Sequence, residues 1–199
     1  MNIAETPILS PPTAHRELAG GIHLVARDYR KGVRLGTHMH REAQLVYAAK
    51  GTMQVTTPKG RWLVPPDRAV WVPARLEHSI DVLADIQMRT LYFDLAWLKR
   101  EHRSRSLDAE FVVRVSRLLH ESILALFDGR DDPDRTDLLI RLAMLELAQA
   151  YELGLGVTAD SAMAKQWRAR GKTMPEPTAR KSSDEHHSDQ RADPSRSRR

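Results

Sequence analysis

With 199 residues, 41% of them apolar and 29% charged, the chain has room for one domain of ordinary size, or one domain with an extension, and a large multidomain enzyme is excluded. It contains no cysteine, which excludes disulfides, thiolate metal sites and cysteine nucleophiles together and leaves His, Asp, Glu or neutral oxygens as the only metal ligands. The net charge of +5 is unevenly placed: residues 160–199 carry ten Lys and Arg against six Asp and Glu, so the body is nearly neutral and the end of the chain is basic.

No apolar run is longer than five residues (Leu45 to Ala49, Ile123 to Phe127), far below the ~18 that suggest a membrane span. Pro7, Pro11 and Pro12 interrupt the start of the chain and the first basic residue is Arg16, so no signal-peptide pattern is present, and the expected location is the cytoplasm. Residues 1–14 are expected to be a flexible N-terminus.

From Ile22 to about Asp94 the chain runs in short β-type segments, among them Gln44 to Ala49, Thr52 to Thr57, Arg61 to Val64, Ala69 to Val72 and Met88 to Phe93. The spacing leaves no room for crossover helices, so the strands should pair mainly antiparallel. Thr57-Pro58-Lys59-Gly60 is a hairpin turn in which proline presets φ at its second position. The period then changes: Phe111, Val112, Val115, Leu118, Leu119, Ile123 and Leu126 predict an amphipathic helix from about Ala109 to Phe127. Asp132 as N-cap and Pro133 at the first helical position open a second helix to about Tyr151, and the short link makes the two an antiparallel pair. Beyond Gly156 the apolar pattern stops, and residues 156–199 are expected to be a disordered basic tail. His186-His187 lie in that low-complexity stretch and suggest only adventitious metal binding. His15, His23, His102 and His120 have no motif context.

The chemistry concentrates in His38 and His40, two residues apart on an expected strand and therefore on one face of it. Gln44 follows with an amide oxygen, and His78 supplies a third imidazole. The spacing Gly32-x5-His38-x-His40-x3-Gln44-x6-Gly51 resembles the first motif of the cupin superfamily, with Gln44 where most metal-binding cupins carry Glu. Pro73-Ala74-Arg75-Leu76-Glu77-His78 is similar to the second motif, P-x-G-x2-H, with Arg75 in place of glycine. The wording around these histidines, His40 with Gln44 to Gly51 and then Trp62 to Pro73, resembles the amino-terminal regulatory domain of AraC-family transcriptional regulators over roughly residues 15–155.

The resemblance implies a mainly β fold: a cupin-type antiparallel β-barrel, or jelly roll, over residues 15–106 that senses an effector, then a helix pair over 107–155 that serves dimerisation. It implies a metal site of His38, His40, His78 and Gln44 for one Ni²⁺, Zn²⁺ or Fe²⁺ ion, against the competing structural role of hydrogen-bonded histidines in a polar interior. Tyr47, Trp62, Trp71 and Arg75 are candidates for the ligand pocket, and Arg75 would favour an anionic ligand. Val112, Val115, Leu119, Ile123 and Leu126 are candidates for the dimer seam.

In that family a DNA-binding unit with two helix-turn-helix motifs follows; the 40-odd residues after the helix pair here have no helical periodicity, so a truncated or frame-shifted regulator is expected. Its partners would be a small-molecule or metal effector and a second copy or a full-length relative, with no membrane contact and no sequence-specific DNA binding by this chain alone. The alternative is a small cupin metalloenzyme, an oxygenase or isomerase, using the three histidines.

Overall fold

The computed structural model describes residues 14–101, 105–152 and 156–158. All of the expected flexible N-terminus except Ala14, the tail beyond Thr158 with His186 and His187, and His102 lie outside the described residues. Eleven strands are described: β1 Ala14–Leu18, β2 Ile22–Tyr29, β3 Arg34–His38, β4 Ala43–Lys50, β5 Met53–Thr57, β6 Gly60–Val64, β7 Arg68–Val72, β8 His78–Val82, β9 Ile86–Phe93, β10 Phe111–Arg114 and β11 Gly156–Thr158. Among the described residues there are also helices α1 (Leu95–Glu101), α2 (Arg117–Leu126) and α3 (Pro133–Glu152) and one 3-10 turn at Arg105–Asp108.

The strands form two sheets, of order β1-β2-β9-β4-β7-β10-β11 and β3-β8-β5-β6, with every pair antiparallel, as the close spacing of strands requires. This is a cupin-like jelly roll. The larger sheet is covered on both faces, so its central strand β4 reads Ala-Gln-Leu-Val-Tyr-Ala without alternation and all six residues are buried. Val46, Ala48, Val70 and Val72 face the smaller sheet and meet Met53, Val55, Val64, Ile80 and Val82 in an interior core. Leu45, Tyr47, Trp71, Leu91 and Phe93 face the other way, into a second core closed by Trp97, Leu119, Ile123, Ile140, Met144 and Leu147 from the helices. The hairpin at Pro58-Lys59 forms as expected, with Thr57 opposite Gly60.

The helix expected from Ala109 is shorter than its periodicity implies. Phe111–Arg114 is strand β10, paired with β7, and helix α2 starts only at Arg117, where the Ser116 hydroxyl accepts the Leu119 N–H at 3.0 Å. The run Phe111-Val112-Val113 buries both faces of a strand between two cores, a pattern that imitates one turn of a buried helix. Gly156–Thr158, expected to open the disordered tail, pairs with β10 instead. Sequence reasoning also missed β1 and α1. Helix α3 begins as expected, with the Asp132 carboxylate accepting the Arg135 N–H at 3.1 Å. It runs antiparallel to α2: Arg135, near its start, reaches the Ala125 carbonyl, and Glu146, near its end, reaches Ser116.

Candidate functional site

The two motifs converge at one end of the interior. Strand β3 carries a bulge between Leu35 and His38 that restores pairing with His38 directly opposite His78 on β8. His40 lies just beyond the strand end, and its carbonyl accepts the Arg75 N–H at 2.7 Å, which ties the first motif to the second. The ring centroids are 4.4 Å apart for His38 and His78, 4.9 Å for His38 and His40 and 5.3 Å for His40 and His78. One nitrogen from each lies within 4.8 Å of the others, and among the described residues this is the group of His and acidic side chains close enough to share an ion.

The hydrogen bonds of these rings fit a ligand role. His38 Nδ1 lies 2.6 Å from the Gly36 carbonyl and His78 Nδ1 3.0 Å from the Leu76 carbonyl; a carbonyl only accepts, so Nδ1 carries the proton and the Nε2 lone pair is free. The Nε2 atoms of His40 and His78 are buried and have no hydrogen-bond partner. Burial, followed by smaller contributions from neighbouring His38 and His40, pushes His78 down to about 4, against an opposing bond to the Leu76 carbonyl. Burial and His38 also lower His40, while Glu42 opposes. Both rings therefore stay neutral, the form that binds metal, below the ordinary histidine range.

Gln44 is 2% exposed on the facing sheet, and its amide N–H donates to the Tyr92 hydroxyl at 3.1 Å, leaving its Oε1 buried without a partner. Tyr92 stands edge-on to His40 at 5.1 Å and so links Gln44 to the histidines. Sequence reasoning missed Tyr92 and the buried Glu110. Glu110 precedes β10 on the row that contains Val72 and Gln44, and it accepts the Thr57 hydroxyl proton at 2.8 Å across the two sheets. A carboxylate thus enters the same end of the interior from a segment that helical periodicity had claimed. The cross-strand row continues from Gln44 and Tyr92 to His23 and Glu17, with His15 stacked on His23 at 6.0 Å.

The remaining expected pocket and seam residues do not all gather here. Trp62 packs against the interior core, and its buried indole N–H has no partner. Tyr47 and Trp71 project from the opposite face of the sheet into the helix-side core. The Tyr47 hydroxyl donates to the Pro66 carbonyl at 2.9 Å and meets His120 Nδ1 at 2.6 Å, and the Trp71 indole donates to the Leu107 carbonyl. Arg75 lies exposed in the turn before β8 with φ of 63°, the left-handed conformation that explains why the motif usually has glycine there. Of the seam candidates, Val112 lines the interior, Leu119, Ile123 and Leu126 are buried against the chain's own core, and Val115 is partly buried beside them. The apolar side chains that the helix pair leaves at the surface are instead Leu118, Leu138 and Leu145.

No helix among the described residues is long and apolar enough to cross a membrane. The sequence is 39% identical over 57 residues to the HTH-type transcriptional regulator NimR of Escherichia coli (strain K12), a match covering 29% of this chain and 21% of NimR, so the chain spans about a fifth of that relative. In structure it is similar to apo ToxT K231A from Vibrio cholerae strain SCE256, with a TM-score of 0.57 and 9% identity over 70% of this chain and 59% of that one. A smaller likeness, TM-score 0.35 and 23% identity over 41% of this chain and 23% of the other, is to Bacillus subtilis oxalate decarboxylase with Mn(II) centres. Residues 20–147 match the AraC-like ligand binding domain, which spans both cores and all three histidines, and the chain belongs to that family.

Proposed function

We propose that the chain is the sensing part of an AraC-type transcriptional regulator, and that its interior holds one divalent transition ion, Ni²⁺, Zn²⁺ or Fe²⁺, on His38, His40 and His78, with Gln44 Oε1 as a neutral fourth donor. The observation that carries this reading is the cluster of three imidazoles, His78 buried and His38 and His40 half-buried, two of them with orphaned Nε2 atoms, inside a ligand-binding domain. Such an ion would supply a Lewis-acidic anchor for an effector. Residues on β4 serve both sides of the sheet: Gln44 meets the site, while Tyr47, three residues on, meets His120 of α2. An effector that reorients β4 would thus bias the helix pair, and a second copy would dock on the surface of Leu118, Leu138 and Leu145.

A second reading, a cupin metalloenzyme, is favoured by one observation: the buried Glu110 carboxylate at the same end of the interior is an acid/base candidate. Incubating metal-loaded protein with a panel of small metabolites separates the two. A sensor binds its effector saturably and returns it unchanged; catalytic consumption of substrate or O₂, lost in Glu110→Gln, would overturn the regulatory reading.

A further inference from the structure

Arg75 occupies a backbone conformation that a side chain disfavours. Its φ of 63° brings Cβ close to its own backbone, a crowding that glycine avoids. Arg75 is the non-glycine residue with positive φ among the described residues, and it stands where its N–H holds the His40 carbonyl at 2.7 Å. A strained residue at a ligand-bearing turn calls for a reason in its side chain. That side chain is exposed, and the guanidinium has no hydrogen bond or ion pair among the described residues, although Glu77 lies two positions away.

Charge points the same way. The three ligands are neutral imidazoles and the fourth donor is an amide, so a bound divalent ion would keep its full charge. In the turn after His40, Arg41 and Glu42 are of opposite charge, and Glu110 bonds Thr57 and does not belong to the cluster of His38, His40 and His78. Arg75 adds a further cation to a site that lacks a carboxylate among its donors. Arg75 is tied by its backbone to the His40 carbonyl, and a planar, five-donor guanidinium on that turn would suit a carboxylate, one oxygen for the ion and the other for the fork.

We propose that the effector is a small organic carboxylate, recognised at the mouth of the interior by Arg75 while its other oxygen meets the cation held by the histidines. This rests on the metal reading above, and the test keeps the two apart. Acetate, malonate, benzoate and inorganic phosphate are titrated calorimetrically into the full chain, Zn²⁺-loaded and metal-free, beside acetamide, malonamide and benzamide. Wild type, Arg75→Gly and Arg75→Lys are compared, with zinc content and melting temperature recorded for each.

At least one carboxylate should bind tenfold or more tightly than its amide. Arg75→Gly should lose at least tenfold of that affinity with unchanged zinc content and no fall in melting temperature, and Arg75→Lys should lose less. Equal affinity for carboxylates and amides, tighter binding of phosphate than of every carboxylate, or full retention in Arg75→Gly would overturn the inference. A wild type that holds no zinc, and in the same assay no Ni²⁺ or Fe²⁺, would contradict the metal reading alone; the metal-free titrations then decide, an Arg75-dependent preference for carboxylate sustaining the inference and its absence overturning it.

Discussion

Gly51 closes the first motif, and its replacement by alanine tests how that motif is built. Its φ is +80°, and a Cβ placed on it would stand 2.0 Å from the Asp85 carbonyl oxygen and 2.9 Å from Ile86 Cγ2. That oxygen has little freedom to retreat. Asp85 is fastened by Arg30 at 2.8 Å and by the Lys31 N–H at 2.8 Å, and the preceding Leu83 and Ala84 N–H groups both bond the Thr52 carbonyl. The left-handed backbone costs roughly 1–2 kcal/mol for a residue with a side chain. Overpacking against an immobile neighbour adds about 1–3 kcal/mol. Gly32 opens the same motif with φ of +91°, yet its Cβ would meet nothing within 4 Å, so Gly32→Ala carries the backbone cost alone. Urea unfolding should therefore place Gly51→Ala about 2 kcal/mol or more below Gly32→Ala, and its melting temperature roughly 4–8 °C lower. If the two variants lose the same stability, the close approach of β4's end to the β8–β9 turn is not as described.

Leu119, 1% exposed, should give an unfolded or aggregated protein as Leu119→Asp rather than a folded monomer, because the charge enters the chain's own core. Leu138→Asp, at a side chain 67% exposed, should keep the melting temperature and split the proposed dimer in sedimentation; a Leu119→Asp variant that stays folded as a monomer beside a dimeric wild type would return the seam to the residues that the family resemblance implied. Burial, aided by Asp67 at Tyr47 and opposed in part by Arg27 at Tyr92, pushes both phenols up to about 12, so their contribution to stability is complete below pH 10 and is lost as pH rises through 12. Phenolate absorbance, compared with that of Tyr47→Phe and Tyr92→Phe variants, should show these two phenols ionising together with unfolding; their ionisation near pH 10 with the fold intact would contradict their burial.

Much of this molecule is legible in its sequence because the signals are local. Pro58-Lys59 between two β-runs and the Asp132-Pro133 helix start each depend on a few neighbouring residues, and each appears as expected; His38 and His40 lie side by side, but His40 stands just beyond the strand end rather than on the strand. The failures come where a tertiary partner decides. Phe111 to Val113 obeys a helical period, but an open edge on β7 makes it a strand, and this also puts Glu110 in the interior. The row from Gln44 through Tyr92 to His23 joins residues far apart in the chain, and only strand register reveals it. Tyr47 and Trp71 are aromatic and buried, as a pocket residue would be, but β-alternation points them to the helices; one misjudged face removes both from the site.

The ion itself is the most direct test of the central claim. Protein is incubated at neutral pH with Ni²⁺, Zn²⁺ or Fe²⁺, dialysed and assayed by elemental analysis, with circular dichroism confirming that each variant is folded. Wild type should retain one ion per chain, His78→Ala should retain much less, and the His38→Ala, His40→Ala, His78→Ala triple variant should retain none. A stoichiometric ion that persists in the folded triple variant, or a folded wild type that holds none of the three metals, would contradict the assignment of the histidines as a metal centre.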